Sequence, residues 1–152
     1  MKDFSLNSKS LSEMENIETT NTQKFVRILL GIFMITAAMG HFTFQRNDFQ
    51  AQVPNWVPVD KDLVVILSGI VELVLGLTLI FLTRYKVKVG IFLAIFYVLV
   101  FPGNIAQYLN GTSALGLDTD LSRLIRLFFQ PVLIFLTLWS TGAITYFKSS
   151  KV

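Results

Sequence analysis

The residue best placed to do chemistry is a single carboxylate inside an apolar segment. The segment SGIVELVLGL, residues 68–77, is apolar enough to sit in lipid and carries Glu72 near its middle. A charged side chain at the centre of a bilayer costs about 2.5–3.5 kcal/mol on insertion scales. We therefore expect Glu72 to be paired, solvated or protonated, and to face protein instead of acyl chains. Such a group is a candidate for proton exchange or ligand binding; the alternative is a structural polar clasp.

Five further side chains are candidates for acting together with Glu72. They combine imidazole, indole, amide and guanidinium groups, which donate or accept hydrogen bonds. The predicted ligand-binding residues are His41, Trp56, Glu72, Asn104, Arg126 and Gln130. We expect Asn104 or Gln130 to donate a hydrogen bond to the Glu72 carboxylate, with Arg126 reaching toward it.

The elements that must position these residues are four apolar runs of 20 or 21 residues. A helix needs about 20 residues to cross a hydrocarbon layer of roughly 30 Å. Lipid cannot satisfy backbone polar groups, so the runs must be helices. The predicted fold class is an all-α membrane protein with four transmembrane helices in an antiparallel up-down bundle. The predicted ranges are a polar tail at 1–24, a bundle at 25–147 with helices at about 25–44, 63–82, 89–109 and 123–147, and a tail at 148–152.

The distribution of positive charge predicts the orientation of the bundle. Nine Lys and Arg residues fall on the side of the two termini and four on the other side. The positive-inside rule then makes both termini cytoplasmic and turns the loops at 45–62 and 110–122 outward. The first of these loops contains VPNWVP, residues 53–58, in which two prolines flank Trp56. Trp56 either anchors the loop at the headgroup level or forms part of a lid over a cavity.

Small and polar residues share one stripe on each predicted helix, with alternating spacings of four and three. On the second helix the stripe contains Val65, Gly69, Glu72, Gly76 and Leu79. Glycines let a neighbouring helix approach closely, so this face should contact protein. The predicted depths bring the polar residues of the four stripes together in the outer half of the bundle. We therefore expect a polar pocket that opens to the outside, with Glu72 at its floor.

Two prolines lie inside the predicted third and fourth helices. Pro102 and Pro131 each remove one helical hydrogen bond and free a carbonyl one turn earlier, at Val98 and Leu127. A freed carbonyl can bind a ligand, water or a side chain. The alternative is that both prolines only bend their helices.

Composition excludes several classes of function. The chain has no Cys, which rules out disulfides and thiolate metal sites. It has one His, so a metal centre with several His ligands would need a second chain. The net charge of +3 arises from basic residues that flank apolar runs, so no nucleic-acid partner is predicted. The sequence contains no nucleophile–base pair, metal cluster or nucleotide loop. We predict no catalytic or metal-binding residues, and an autonomous enzyme is the least favoured function for the isolated chain.

Five short motifs together resemble the DoxX-like membrane proteins. These are GHF, VPNWVP, SGIVELVLGL, FPGNI and RLFFQP, which occur in this order across residues 25–147. The resemblance implies a small four-helix protein of the bacterial cytoplasmic membrane. Some DoxX-like proteins are subunits of a thiosulfate:quinone oxidoreductase, and others are associated with redox complexes. The positions that match the recurring pattern are His41, Trp56, Pro58, Gly69, Glu72, Pro102, Asn104 and Gln130.

The leading functional prediction is an accessory subunit of a quinone-linked membrane redox system. It would bind a quinone or a small polar ligand in the outer pocket; quinone is the candidate cofactor, and no cofactor is certain from sequence. The predicted partners are the lipid bilayer and either a membrane oxidoreductase or further copies of the chain. Two alternatives are a transporter, proton-coupled through Glu72 and acting as an oligomer, and a scaffold for other membrane proteins.

Overall fold

The structure is a computed structural model that describes residues 11–149. Its helices are α1 (Asn21–Phe42), α2 (Arg46–Gln52), α3 (Lys61–Phe81), α4 (Lys86–Leu109), α5 (Asp120–Ser140) and α6 (Ala143–Ser149). A 3₁₀ turn at Thr83–Tyr85 precedes α4, residues 11–15 are also helical, and residues 11–149 contain no strand. The predicted tails at 1–24 and 148–152 therefore lie partly outside the described residues.

Four helices, α1, α3, α4 with its preceding 3₁₀ turn, and α5, are long and apolar enough to cross a membrane. This confirms the all-helical class and four helices of membrane-spanning length and composition, and it supports a multi-pass membrane protein. The large apolar side chains that α1, α3, α4 and α5 leave exposed fit the same conclusion, because they provide the surface for acyl chains. Examples are Phe33, Leu67, Phe92, Leu99 and Phe135, each about half exposed or more.

Capping residues explain why the helices begin earlier than the apolar runs. Thr20 and Gln23 form a capping box at the start of α1, in which the Gln23 amide donates to Thr20 Oγ1 at 3.2 Å. The Asp60 carboxylate accepts from the Leu63 amide at the start of α3. Each cap satisfies backbone donors that the first helical turn leaves free. Hydropathy detects only the part of a helix that lies in lipid, and so it misses this first turn.

The predicted fourth helix, 123–147, is divided in the structure. The Thr119 side chain caps α5, which begins at Asp120, three residues before the predicted start, and ends at Ser140. Gly142 has a φ of 81°, a left-handed conformation that an α-helix cannot contain and that glycine tolerates best. The chain therefore turns at 141–142 and continues as the separate helix α6.

The interface between α1 and α3 is the most extensive in the structure, followed by that between α4 and α5. The buried residues of α3 are Val65, Gly69, Gly76 and Leu79, which is the predicted stripe apart from Glu72. A Cβ on Gly76 would lie 2.8 Å from the Gly31 carbonyl oxygen, so the two backbones are in direct contact there. The predicted role of small residues in close helix packing is confirmed at this crossing.

One apolar cluster joins all four long helices. It contains Leu30, Met34, Leu79, Val89, Leu93, Tyr97 and Leu133. Every one of these side chains is less than a tenth exposed. The cluster fills the bundle on one side of the polar residues described next.

Candidate functional site

A cavity of about 570 Å³ lies between the long helices and the segment that contains α2. This volume is within the range of sites for drug-sized ligands, roughly 300–1,000 Å³. All six residues that the sequence singled out line it: His41, Trp56, Glu72, Asn104, Arg126 and Gln130. The structure thus brings the set together around one space, whereas ligand binding by these residues stays a prediction.

Most of the cavity wall is apolar, and its polar groups come from three places. Apolar lining residues include Phe33, Val65, Val100, Phe129 and Leu133. The polar side chains come from α1 and α3, from α4 and α5, and from the segment that contains α2. A wall of this kind suits a ligand with an apolar body and a few hydrogen-bonding atoms.

His41 and Glu72 form the polar pair of the α1–α3 side. The His41 Nε2 lies 3.2 Å from Glu72 Oε2, and the two side chains are 6% and 13% exposed. The other ring nitrogen, Nδ1, lies 3.0 Å from the Val65 carbonyl oxygen. His41 therefore connects the backbone of α3 to the carboxylate two turns further along the same helix.

The two contacts of His41 restrict where a proton can reside. A carbonyl oxygen only accepts, so Nδ1 must carry a hydrogen that it donates to Val65. Nε2 and the carboxylate would then face each other with lone pairs unless one of them is protonated. The geometry therefore makes Nδ1 the donor to Val65 and places Nε2 3.2 Å from the Glu72 carboxylate oxygen.

Packing fixes the His41 ring in this position. Phe49 of α2 stacks on the imidazole with centroids 3.6 Å apart and planes 16° from parallel. On the other side, a Cβ on Gly69 would lie 2.8 Å from His41 Cβ. Only a residue without a side chain at 69 lets α1 approach closely enough for His41 to reach both Val65 and Glu72.

Glu72 Oε2 is a buried atom without a hydrogen-bond partner of good geometry among the described residues. Its contact to His41 is at ion-pair distance but misaligned for a hydrogen bond. Buried carboxylate oxygens are normally satisfied by donors, and an exception calls for an explanation. Because Glu72 lines the cavity, a donor on a bound molecule can supply the missing hydrogen bond.

The polar groups of α4 and α5 form a chain of hydrogen bonds. Arg126 Nε donates to Asn104 Oδ1 at 3.3 Å, and Asn104 Nδ2 donates to Gln130 Oε1 at 3.1 Å. Gln130 Nε2 in turn donates to the Tyr97 carbonyl oxygen at 2.7 Å. This chain locks the amide orientations of Asn104 and Gln130.

The expected hydrogen bonds from Asn104 and Gln130 to Glu72 are absent, and this expectation was wrong. The reason is the pairing of the helices: α4 packs on α5, so the two amides satisfy each other, while Glu72 lies on α3 and meets His41 of α1. Arg126 does interact electrostatically with Glu72. It directs its Nε to Asn104, however, and forms no ion pair with Glu72 within the described chain.

The Gln130 side chain donates to the backbone carbonyl of Tyr97. Pro102 removes the helical donor of a different carbonyl, that of Val98. Pro102 lines the cavity, and Val98 is more than half exposed. Among residues 11–149, no side chain donates to the Val98 carbonyl, which the sequence analysis singled out on α4. Both prolines lie inside continuous helices, α4 and α5.

Helix α2 covers one end of the cavity and is tied down at three points. Arg46 forms a two-point ion pair with Asp62 at the start of α3, and Gln50 Nε2 donates to the same carboxylate at 2.6 Å. Asp48 Oδ2 accepts from the Leu115 amide, and Gln52 Nε2 donates to the Gln107 side chain on α4. The hydrogen bond to Asp62 raises the pKa of the Arg46 guanidinium above its ordinary value.

Sequence reasoning missed α2 as an element of the site. Gln45, Phe49 and Gln52 line the cavity at spacings of four and three, which is the repeat of a helix face. The helical segment RNDFQAQ, which follows Gln45, is only seven residues long. A segment this short has too few repeats to be distinguished from a loop in the sequence. Trp56, 71% exposed, lies beyond α2 on the cavity rim, so both of its predicted roles stay open.

The comparisons with known proteins bear on family membership and not on activity. A family model described as a domain of unknown function, DUF8561, matches residues 30–141. No curated protein and no solved structure matches the chain. The matched range runs from α1 to the end of α5 and includes all six cavity residues predicted from the sequence. Because this range covers most of the chain, the protein belongs to the DUF8561 family.

Proposed function

We propose that this protein binds a small amphipathic ligand of the quinone class in the cavity and serves as an accessory subunit of a membrane redox system. The proposal includes the DoxX-like character suggested by the sequence motifs and a place in the bacterial cytoplasmic membrane. The observation that carries it is the buried His41–Glu72 pair on the cavity wall, in which one carboxylate oxygen lacks a hydrogen-bond donor.

The chemistry of a quinone fits the two polar sides of the cavity. A quinone takes up protons when it is reduced, and a quinol hydroxyl can donate to Glu72 Oε2. A guanidinium has five N–H donors, so Arg126 can donate to Asn104 and also to a ligand oxygen. The apolar remainder of the wall would contact the ring. Electrons would come from a partner oxidoreductase, and this chain would hold the ligand and exchange a proton.

We propose an antiparallel up-down bundle with both termini cytoplasmic, so that the cavity end faces outward. Contacts between chain segments support this: His41 near the end of α1 meets Val65 near the start of α3, and Asn104 near the end of α4 meets Gln130 of α5. The excess of Lys and Arg on the side of the termini supports the orientation.

Binding is favoured over transport by the apolar cluster. Met34, Tyr97 and Leu133 line the cavity and also belong to the cluster that fills the bundle beside it. A path across the membrane would require these tightly packed side chains to separate. The structure therefore favours a site entered from one end, and the transport alternative has no specific observation in its support.

The experiment uses the full-length protein purified in detergent. We expect an ultraviolet spectrum and an organic extract to reveal a copurifying quinone, and added quinone to raise the unfolding temperature. Glu72→Gln should reduce this rise strongly, whereas Glu15→Gln, which removes a carboxylate paired with Arg84 elsewhere, should leave it unchanged. If Glu72→Gln does not fold, Arg126→Lys replaces it. Absence of both copurifying quinone and stabilisation by added quinone would overturn the proposal.

A further inference from the structure

A cluster of three cations lies at the end of the bundle away from the cavity. Lys24 and Arg27 belong to the first turns of α1, and Lys86 begins α4. Arg27 precedes His41 by 14 residues, which is about 21 Å along a helix. Both Lys24 and Arg27 interact electrostatically with Lys86, so three like charges share one region.

Arg27 is buried there without the partners that a buried guanidinium needs. It is 4% exposed, and its Nε and Nη1 atoms are buried with no hydrogen-bond partner. Within residues 11–149, no carboxylate forms an ion pair with Arg27 or Lys86. Unpaired buried donors on a charged group are strongly unfavourable, and the repulsion among like charges adds to this.

The neighbouring carboxylate does not fill this role. Glu15 accepts from Arg84 Nε at 2.8 Å and is therefore engaged with a different cation. In the described part of the chain, Glu13 and Glu18, which also precede α1, form no ion pair with Lys24, Arg27 or Lys86. The described residues therefore leave a site with two free guanidinium donors, two ammonium groups and no anion. An external oxyanion would satisfy the donors and offset the repulsion.

The geometry points to the phosphate group of an anionic phospholipid. Guanidinium forms directional hydrogen bonds with phosphate oxygens, and Lys contributes a point charge. The cluster lies at the ends of two spanning helices, where headgroups of the surrounding leaflet are found. Phe25 and Leu29 are about half exposed or more beside Arg27 on α1 and would contact the acyl chains. We propose that Lys24, Arg27 and Lys86 bind this lipid phosphate, with Arg27 as the hydrogen-bond donor.

The test measures lipid binding by the full-length protein in neutral detergent, with native mass spectrometry and thermal unfolding as readouts. We expect phosphatidylglycerol to bind on the order of a hundredfold more tightly than phosphatidylcholine, because about three cations act on its charge. Arg27→Gln should lose most of this preference. The matched control is Arg84→Gln, which removes a cation at the same end that already has Glu15 as a partner, and it should keep the preference.

Two further arms make the result decisive. Lys86→Gln should also weaken the preference, and it carries the test if Arg27→Gln does not fold. Inorganic phosphate should stabilise the protein less than the lipid does, because it has no acyl chains to contact the apolar surface. Equal binding of the two lipids by the wild-type protein, or an unchanged preference in both variants, would overturn the proposal. Stabilisation by inorganic phosphate without any by phosphatidylglycerol would overturn the assignment to a lipid.

Discussion

At the scale of single residues, His41 determines what Glu72 can do. The imidazole contacts the α3 backbone through Nδ1 and the carboxylate through Nε2, while Phe49 covers one of its faces. Removing either side chain of the pair leaves the other buried beside the cavity without its partner. The effects of the two substitutions on the free energy of unfolding should therefore depend on each other.

We therefore predict a non-additive double-mutant cycle for His41→Asn and Glu72→Gln. Each single variant should lower the free energy of unfolding by about 1–3 kcal/mol, because each leaves a buried polar group unpaired. The double variant should be more stable than the sum predicts, with a coupling of about 0.5–3 kcal/mol. Denaturant unfolding in detergent measures all four proteins.

The control cycle combines Glu72→Gln with Thr78→Val. The Thr78 hydroxyl bonds to carbonyls of its own helix, Val74 and Leu75, and these two substitutions should add within about 0.5 kcal/mol. Additivity of the His41 and Glu72 variants would contradict a direct interaction between the two side chains.

At the scale of elements, two features shape the site: the close crossing of α1 and α3, and the attachment of α2. The crossing brings His41 to α3, and it depends on small residues such as Gly31, Gly69 and Gly76. The attachment of α2 supplies Phe49 and covers one end of the cavity. Each feature can be altered without changing a polar residue that lines the cavity.

We predict that Gly76→Ala destabilises the protein by about 1–3 kcal/mol, as overpacking does in a well-packed core. The added Cβ would lie 2.8 Å from the Gly31 carbonyl oxygen, which is backbone and cannot rotate away. Unfolding in detergent measures the loss. Val74→Ile adds one methyl group to an exposed position on the same helix and should have little effect; equal effects of the two substitutions would argue against a close crossing.

We predict that Asp62→Ala loosens α2. Asp62 accepts hydrogen bonds from Arg46 and Gln50, so its removal releases the first half of the helix. Hydrogen exchange of the amides in residues 46–52 should become several-fold faster, whereas exchange in the middle of α4 should stay the same. Glu15→Ala removes a carboxylate from an Arg pair elsewhere and should leave α2 unchanged. Unchanged exchange in α2 of the Asp62 variant would show that the other two attachments are sufficient.

At the scale of the whole molecule, the two ends of the bundle differ in chemistry. One end contains the cavity with a carboxylate, an imidazole and amides, and the other contains buried cations without carboxylate partners in the described chain. The apolar cluster lies between them. This polarity gives the proposed orientation a physical basis, because cations are retained on the cytoplasmic side of membranes.

The orientation predicts a specific labelling pattern. The chain has no Cys, so single-cysteine variants at exposed positions report one site each. A membrane-impermeant maleimide should label Asn55→Cys and Ser113→Cys in cells whose cytoplasmic membrane is intact. Thr83→Cys and Lys148→Cys should be labelled only after that membrane is permeabilised. Labelling of the second pair in intact cells would contradict cytoplasmic termini.

The sequence by itself determined the helical class, the four helices that are long and apolar enough to span a membrane, and the helix faces that pack inward. These follow from local properties: the lengths of apolar runs, and the spacing of small and polar residues such as Gly69, Glu72 and Gly76 on one helix face. Only the tertiary structure decided which inward groups meet. The partner of Glu72 is His41 and not an amide of α4 or α5. Polar contacts between helices depend on which helices pack together and at what depth, whereas the stripe on one helix is compatible with several arrangements. The same holds for α2, whose seven residues gain their helical form and position from contacts to Asp62, Leu115 and Gln107 that lie far away in the sequence.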